Sequence, residues 1–273
     1  MELSKINSLL SVNNKDNPIK KTEPSTQNHK GVTLASLDTL SNKPTNKGIL
    51  AKLSLFDSGL SDPSDTKLIN PNTRVLHIGD SHTVGIYGRE IDGLMRSTGA
   101  KVQTYGSAGS TPSWWLNGHS TKSGFYSKDD EGKVDNPANW KEPHPTPKLN
   151  NLIDNFKPNV VIISLGANLV KANAEQIESE VKKVADIAKE SGAKIVWVGP
   201  PDSRDSAKPN STQAFLYEHL EKTASQYGTF IDSRPYTEYP ATGGDGIHYW
   251  GKEGTETAKK WANSVFDQMQ TEN

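Results

Sequence analysis

Past residue 72 the chain alternates between short, mostly apolar runs and longer stretches in which apolar residues return every three or four positions. The first pattern predicts buried strands and the second predicts helices packed by one face. The run 74–78 predicts a strand that stops at Gly79. The stretch 84–97 has helical spacing through Ile86, Ile91, Leu94 and Met95, and Gly99 closes it. A second strand is predicted over 101–105. The run 159–165 holds Val160-Val161-Ile162-Ile163, apolar on both faces, as a central strand of a parallel sheet requires. A long amphipathic helix is predicted over 174–191, with Ile177, Val181, Val184 and Ile187 inward and Gly192 after it. A strand at 194–198, a helix at 212–227, a strand at 229–232 and a helix at 252–270 complete the series. Strands alternating with helices predict an α/β fold, a three-layer α/β/α sandwich around a parallel sheet of five strands. In such sheets ligands sit beyond the carboxyl ends of the strands.

Ahead of residue 72 the pattern is lost. Phe56 is the only aromatic there, and Ser, Thr, Asn, Lys and Pro dominate. Such a composition buries too little apolar area to offset the entropy of ordering it. Residues 1–71 are therefore expected to be largely disordered, with short helices around 3–10 and 49–56, and residues 72–273 to form the folded domain. The segment 110–147 breaks the rhythm as well. It is longer than an ordinary connection and carries Trp114, Trp115 and Trp140, three of six Trp in the chain, with Phe125 and Tyr126. This aromatic content predicts an ordered flap near the site.

Composition narrows the possibilities. Of 273 residues, 31 are Lys or Arg and 32 Asp or Glu, a net charge of -1 that argues against a nucleic-acid partner. No Cys is present, which removes disulfides, thiolate metal sites and a Cys nucleophile. No apolar run approaches the roughly 20 residues of a membrane span. The N-terminus lacks the apolar core of a Sec signal peptide. Its polar, Ser- and Asn-rich character resembles substrates of dedicated bacterial secretion systems, with the cytoplasm as the alternative.

The polar and small residues fall where the architecture puts a site. Gly79-Asp80-Ser81-His82 follows the first strand, Gly106-Ser107-Ala108-Gly109-Ser110 the second and Gly166-Ala167-Asn168 the third, while Gly244-Asp245-Gly246-Ile247-His248 precedes the last helix. A serine hydroxyl becomes a nucleophile when a base takes its proton. His248 is the candidate base for Ser81. Asp245, three residues earlier, can fold back onto the imidazole and orient it. The N–H groups of Ser81 and Gly109 and the side-chain amide of Asn168 are candidate donors to an oxyanion.

These four blocks, in this order, resemble the SGNH hydrolases, also called the GDSL family, in a variant with His82 where Leu is usual and Leu169 where Asp is usual. The resemblance covers residues 73–270. It implies the flavodoxin-like fold of that family, Ser81 as nucleophile, His248 as base, Asp245 as its orienter, and Ser81, Gly109 and Asn168 as oxyanion hole. It implies neither metal nor other cofactor.

The function expected is removal of a small acyl group, acetyl, from a carbohydrate of cell-wall or surface type, by a monomeric enzyme. Trp114, Trp115, Trp140 and His82 are the candidate substrate contacts. Because Trp114 and Trp115 are adjacent, one is expected to be buried and the other exposed. The alternatives are a lipid esterase or acyltransferase and a non-catalytic glycan-binding module. Other histidines have plainer readings, His77 as a core residue on the first strand and His82 as a pocket or helix-capping residue. Gly106-Ser107-Ala108-Gly109 lacks the Lys of a phosphate loop.

Overall fold

A computed structural model describes residues 67–271 of the chain. The expected disorder and short helices of the N-terminal segment lie outside the described residues up to 66. The elements run β1 (Arg74–Gly79), α1 (Ser81–Val84), α2 (Ile86–Ser97), β2 (Lys101–Ser107), α3 (Trp114–Asn117), β3 (Ser120–Thr121), β4 (Phe125–Lys128), β5 (Val134–Asp135), β6 (His144–Pro145), α4 (Leu149–Phe156), β7 (Val160–Ser164), α5 (Ala174–Glu190), β8 (Lys194–Val198), α6 (Asn210–Ala224), β9 (Thr229–Ile231) and α7 (Gly251–Thr271), with short 3-10 turns at Ala167–Leu169 and Arg234–Tyr236.

The main sheet has the order β5-β4-β2-β1-β7-β8-β9. β2, β1, β7, β8 and β9 are parallel, the five strands expected, and β4 and β5 add an antiparallel edge. Among the parallel strands the chain order is second, first, third, fourth, fifth. The order reverses at β1, so the crevice between the loops after β1 and β7 is the place this topology gives a ligand.

Alternation along the strands divides the core in two. Leu76 and Ile78 of β1 and Val161 and Ile163 of β7 pack against α4, α5 and α6 through Leu149, Ile177, Val181 and Leu220. Val75, Val160 and Ile162 face the other way, onto Ile91 and Met95 of α2 and Trp261 and Val265 of α7. α5 is representative in its sequence logic. The Asn173 side chain caps it by accepting from the Gln176 N–H at 2.8 Å, and its buried residues keep three-to-four spacing through Ala188.

Three expectations need correction. The helix expected over 84–97 begins at Ile86, because Gly85 is extended (φ -80, ψ -157) and separates it from a one-turn α1 on which Ser81 stands first. Only part of the insertion stands apart as the expected flap: β3 and β6 pair in their own two-stranded sheet, while β4 and β5 extend the edge of the main sheet. β4 pairs with β2 from Thr104↔Lys128 to Ser107↔Phe125, and Lys128 Nζ reaches the buried Asp92 carboxylate at 2.8 Å. The folded chain also begins before residue 72. Ile69 is buried, its N–H donates to Gln270 Oε1 at 2.9 Å, and its carbonyl accepts from Gln270 Nε2 at 2.9 Å.

That clip makes a prediction. Burying an Ile side chain with two hydrogen bonds contributes about 2–3 kcal/mol. A chain beginning at Asn72 is expected to melt roughly 4–12 °C below one beginning at Lys67 in thermal unfolding. Equal melting temperatures would show that the clip contributes nothing.

Candidate active site

β1 runs straight into the site. Gly79 lies beside Gly106 of β2 and Ser164 of β7. A Cβ there would collide with the Thr83 side chain, so only glycine lets α1 turn back this closely over the strand. Asp80 follows, buried, and its Oδ1 accepts the His82 N–H at 3.0 Å as the cap of α1. Burial pushes the Asp80 carboxyl up to about 6, against the His82 N–H and the charges of Lys208 and His248, which pull it down. As the first residue of α1, Ser81 has a backbone N–H without an acceptor inside the helix.

The structure brings Ser81, His248 and Asp245 into one hydrogen-bonded line. Ser81 Oγ is 3.0 Å from His248 Nε2, and His248 Nδ1 is 2.7 Å from Asp245 Oδ2. The other Asp245 oxygen accepts the N–H groups of Ile247 at 2.9 Å and His248 at 2.7 Å. Burial works to raise the Asp245 carboxyl. The hydrogen bonds from the His248 ring and N–H, the charge of His248 and the Ile247 N–H outweigh it and hold the group below the usual carboxylate range. An ionised Asp245 accepts Nδ1–H, which leaves the Nε2 lone pair for the Ser81 hydroxyl proton. The loop is held from outside. Tyr239 O–H donates to the His248 carbonyl at 2.9 Å, and the Arg204 N–H donates to the Gly246 carbonyl at 2.8 Å.

The other two loops, after β2 and β7, meet each other. Gly109 has φ 83, a left-handed conformation that favours glycine. Asn168, on the turn after β7, donates from Nδ2 to the Ser110 carbonyl at 2.9 Å, so its amide keeps a second N–H available. Ser110 is fixed in turn by Trp115, whose indole N–H donates to Ser110 Oγ at 3.2 Å. Trp115 is fully buried and presents no face to a ligand, which corrects its assignment as a substrate contact. Trp114 is half-buried. Its ring lies 4.2 Å from that of His119 and runs beside Gly109. Trp140 lies under Lys141, whose Nζ is 5.4 Å from its ring.

His82 lies in the site, buried, with its ring 5.5 Å from that of His248 and edge-on to Trp261. Burial first, then the neighbouring charges of His248 and Lys208, hold it well below the usual imidazole range, so it is neutral. His77 is a core residue. Its Nε2 meets Ser164 Oγ at 2.9 Å, and burial lowers it to about 4. Two features have no counterpart in the sequence reading. Lys208 Nζ donates to the Ala167 carbonyl at 2.9 Å, tying down the turn that carries Asn168, and feels the charges of Asp80 and Asp245. Trp250, two residues after His248, borders a cleft of about 590 Å³ that opens on Ser81 and His248. No local pattern marks Lys208, but an aromatic pair directly after His248 was a readable signal for Trp250.

No protein-family model and no curated protein matches the chain by sequence. Solved structures do match its fold. The acetylxylan esterase Axe2 of Geobacillus stearothermophilus superposes with a TM-score of 0.52 at 17% identity, over 75% of this chain and 97% of that one. A Slackia heliotrinireducens protein assigned to the SGNH hydrolases gives 0.50 at 15% identity, over 72% of this chain and 98% of that one. LAE5, an alpha/beta hydrolase from the metagenome of Lake Arreo in Spain, gives 0.50 at 11% identity, over 74% and 98%. The chain therefore has the fold of the SGNH hydrolases.

Proposed function

We propose that the protein is a serine hydrolase of carboxylic esters and that its natural substrate is a carbohydrate carrying a small acyl group, acetyl. The observation that carries the reading is the unbroken line from Asp245 Oδ2 through His248 to Ser81 Oγ, at 2.7 and 3.0 Å. A glycan-binding module has no use for such a line. The fold shared with an acetylxylan esterase and the half-buried Trp114 beside Gly109 support the carbohydrate and acetyl parts.

In this mechanism Ser81 Oγ attacks the ester carbonyl carbon while its proton passes to His248 Nε2. The carbonyl π-electrons move onto oxygen, which accepts from the N–H groups of Ser81 and Gly109 and the free N–H of Asn168. Collapse breaks the bond to the alcohol, and His248 gives that oxygen its proton. Water then attacks the acyl-serine by the same relay and releases the acid.

Two measurements test this. Hydrolysis of p-nitrophenyl acetate is expected to exceed that of the octanoate by roughly tenfold or more in kcat/KM. Preference for the octanoate would overturn the small-acyl part. Asn168→Ala is expected to lower kcat by roughly 10²–10³-fold with little change in KM, because the amide acts on charge that develops only in the transition state. A rise in KM alone would assign Asn168 to substrate binding.

A further inference from the structure

Resting on the ester-hydrolase reading, we infer that the sugar of the leaving alcohol occupies the cleft beside Ser81 and His248 and stacks on Trp250. Trp115, Trp197 and Trp261 are buried, and each indole N–H has an acceptor, in Ser110 Oγ, the Leu165 carbonyl and Ser233 Oγ. Trp114 faces the His119 ring, and Trp140 carries Lys141. Among the described residues, Trp250 has no ring or cation partner. It lines the cleft half-exposed. An aromatic face left open in a cleft is what the apolar face of a sugar ring covers.

The proton path fixes which half of the ester goes there. His248 Nε2 takes the Ser81 proton and must hand it to the leaving oxygen, so that oxygen comes within hydrogen-bond reach of Nε2. Ser81 and His248 both border the cleft, whereas Gly109 and Asn168 do not. With the oxyanion directed at Gly109 and Asn168, the cleft beside His248 is left to the leaving oxygen. The lining is largely apolar, with polar groups spaced along it. Ile86, Tyr249 and Trp250 supply apolar wall, and Ser123, Thr255 and Glu256 place hydroxyls and a carboxylate along it for ring hydroxyls. A volume of about 590 Å³ lies within the usual range for a small-molecule site.

The test compares glucose pentaacetate, which offers an acetyl ester at every free position of a sugar ring, with ethyl acetate, whose alcohol is too small to reach the indole. For the parent chain kcat/KM is expected to favour the pentaacetate. Trp250→Ala is expected to lower the ratio of the two kcat/KM values by about tenfold, mainly through KM on the sugar ester, and Trp250→Phe to restore much of it. An unchanged ratio would overturn the inference, as would a loss confined to ethyl octanoate, which would give the cleft to an acyl chain. If the parent chain hydrolyses none of the three esters, it is the ester-hydrolase reading beneath the inference that fails. Activity on ethyl acetate with an insensitive ratio sinks the inference alone.

Discussion

Replacing Ser81 with alanine is expected to lower kcat for p-nitrophenyl acetate by roughly 10⁴-fold or more and to leave the fold intact. The hydroxyl contributes no packing that the core depends on. Among the described residues its hydrogen bond is to His248 Nε2 at 3.0 Å, in a half-exposed position that water can fill. Activity should therefore fall without a matching fall in Tm. His248→Ala is expected to be nearly as severe, since among the described residues no other basic side chain bonds the Ser81 hydroxyl. Asp245→Ala should be milder, because Tyr239 and Arg204 still hold the loop backbone at the His248 and Gly246 carbonyls. Combining Ser81→Ala with His248→Ala should cost little beyond the worse single change, as expected of residues that act as a unit. Activity of Ser81→Ala above a tenth of the parent would remove Ser81 from the role.

Trp115→Ala is expected to cost about 3–5 kcal/mol of stability in denaturant unfolding. The side chain is wholly enclosed in the core formed with Leu149, Leu152 and Ile153, so truncation opens a cavity. It also leaves Ser110 Oγ without its indole donor, and Ser110 is the residue whose carbonyl receives Asn168. A fall in kcat is therefore expected alongside the loss of stability, on small and large esters alike. Unchanged stability with a rise in KM on a glycan ester alone would contradict the core assignment and return Trp115 to the binding surface.

Most of the sheet was legible because parallel strands covered on both faces must be apolar on both faces. Val160-Val161-Ile162-Ile163 admits little else. The helices were legible from the spacing of residues such as Ile177, Val181 and Val184. The break at Gly85 was not, since glycine is tolerated inside a helical pattern and its extended conformation here is set by the tertiary turn that aims Ser81. The edge strands were also hidden. β5 and β6 are two residues each, too short for periodicity, and β4 finds its partner in β2 about twenty residues away. At the site, short loops with fixed spacing carried the information. Asp245 and His248 lie in one turn, so their meeting could be anticipated locally. The tryptophans were harder. Adjacency foretold that Trp114 and Trp115 would differ in burial, but nothing local says which one a core will enclose. Lys208 reaches Ala167 across 41 positions of sequence, and only the tertiary fold makes that bond.

The central claim is that an ester acylates Ser81. The most direct measurement is mass spectrometry of the intact protein and its peptides after mixing with p-nitrophenyl acetate and rapid acid quenching. The peptide containing Ser81 is expected to gain the mass of one acetyl group, transiently in the parent chain and not at all in Ser81→Ala. Hydrolysis proceeding with Ser81 never modified, or with the acetyl group on another residue whose loss abolishes turnover, would contradict the account.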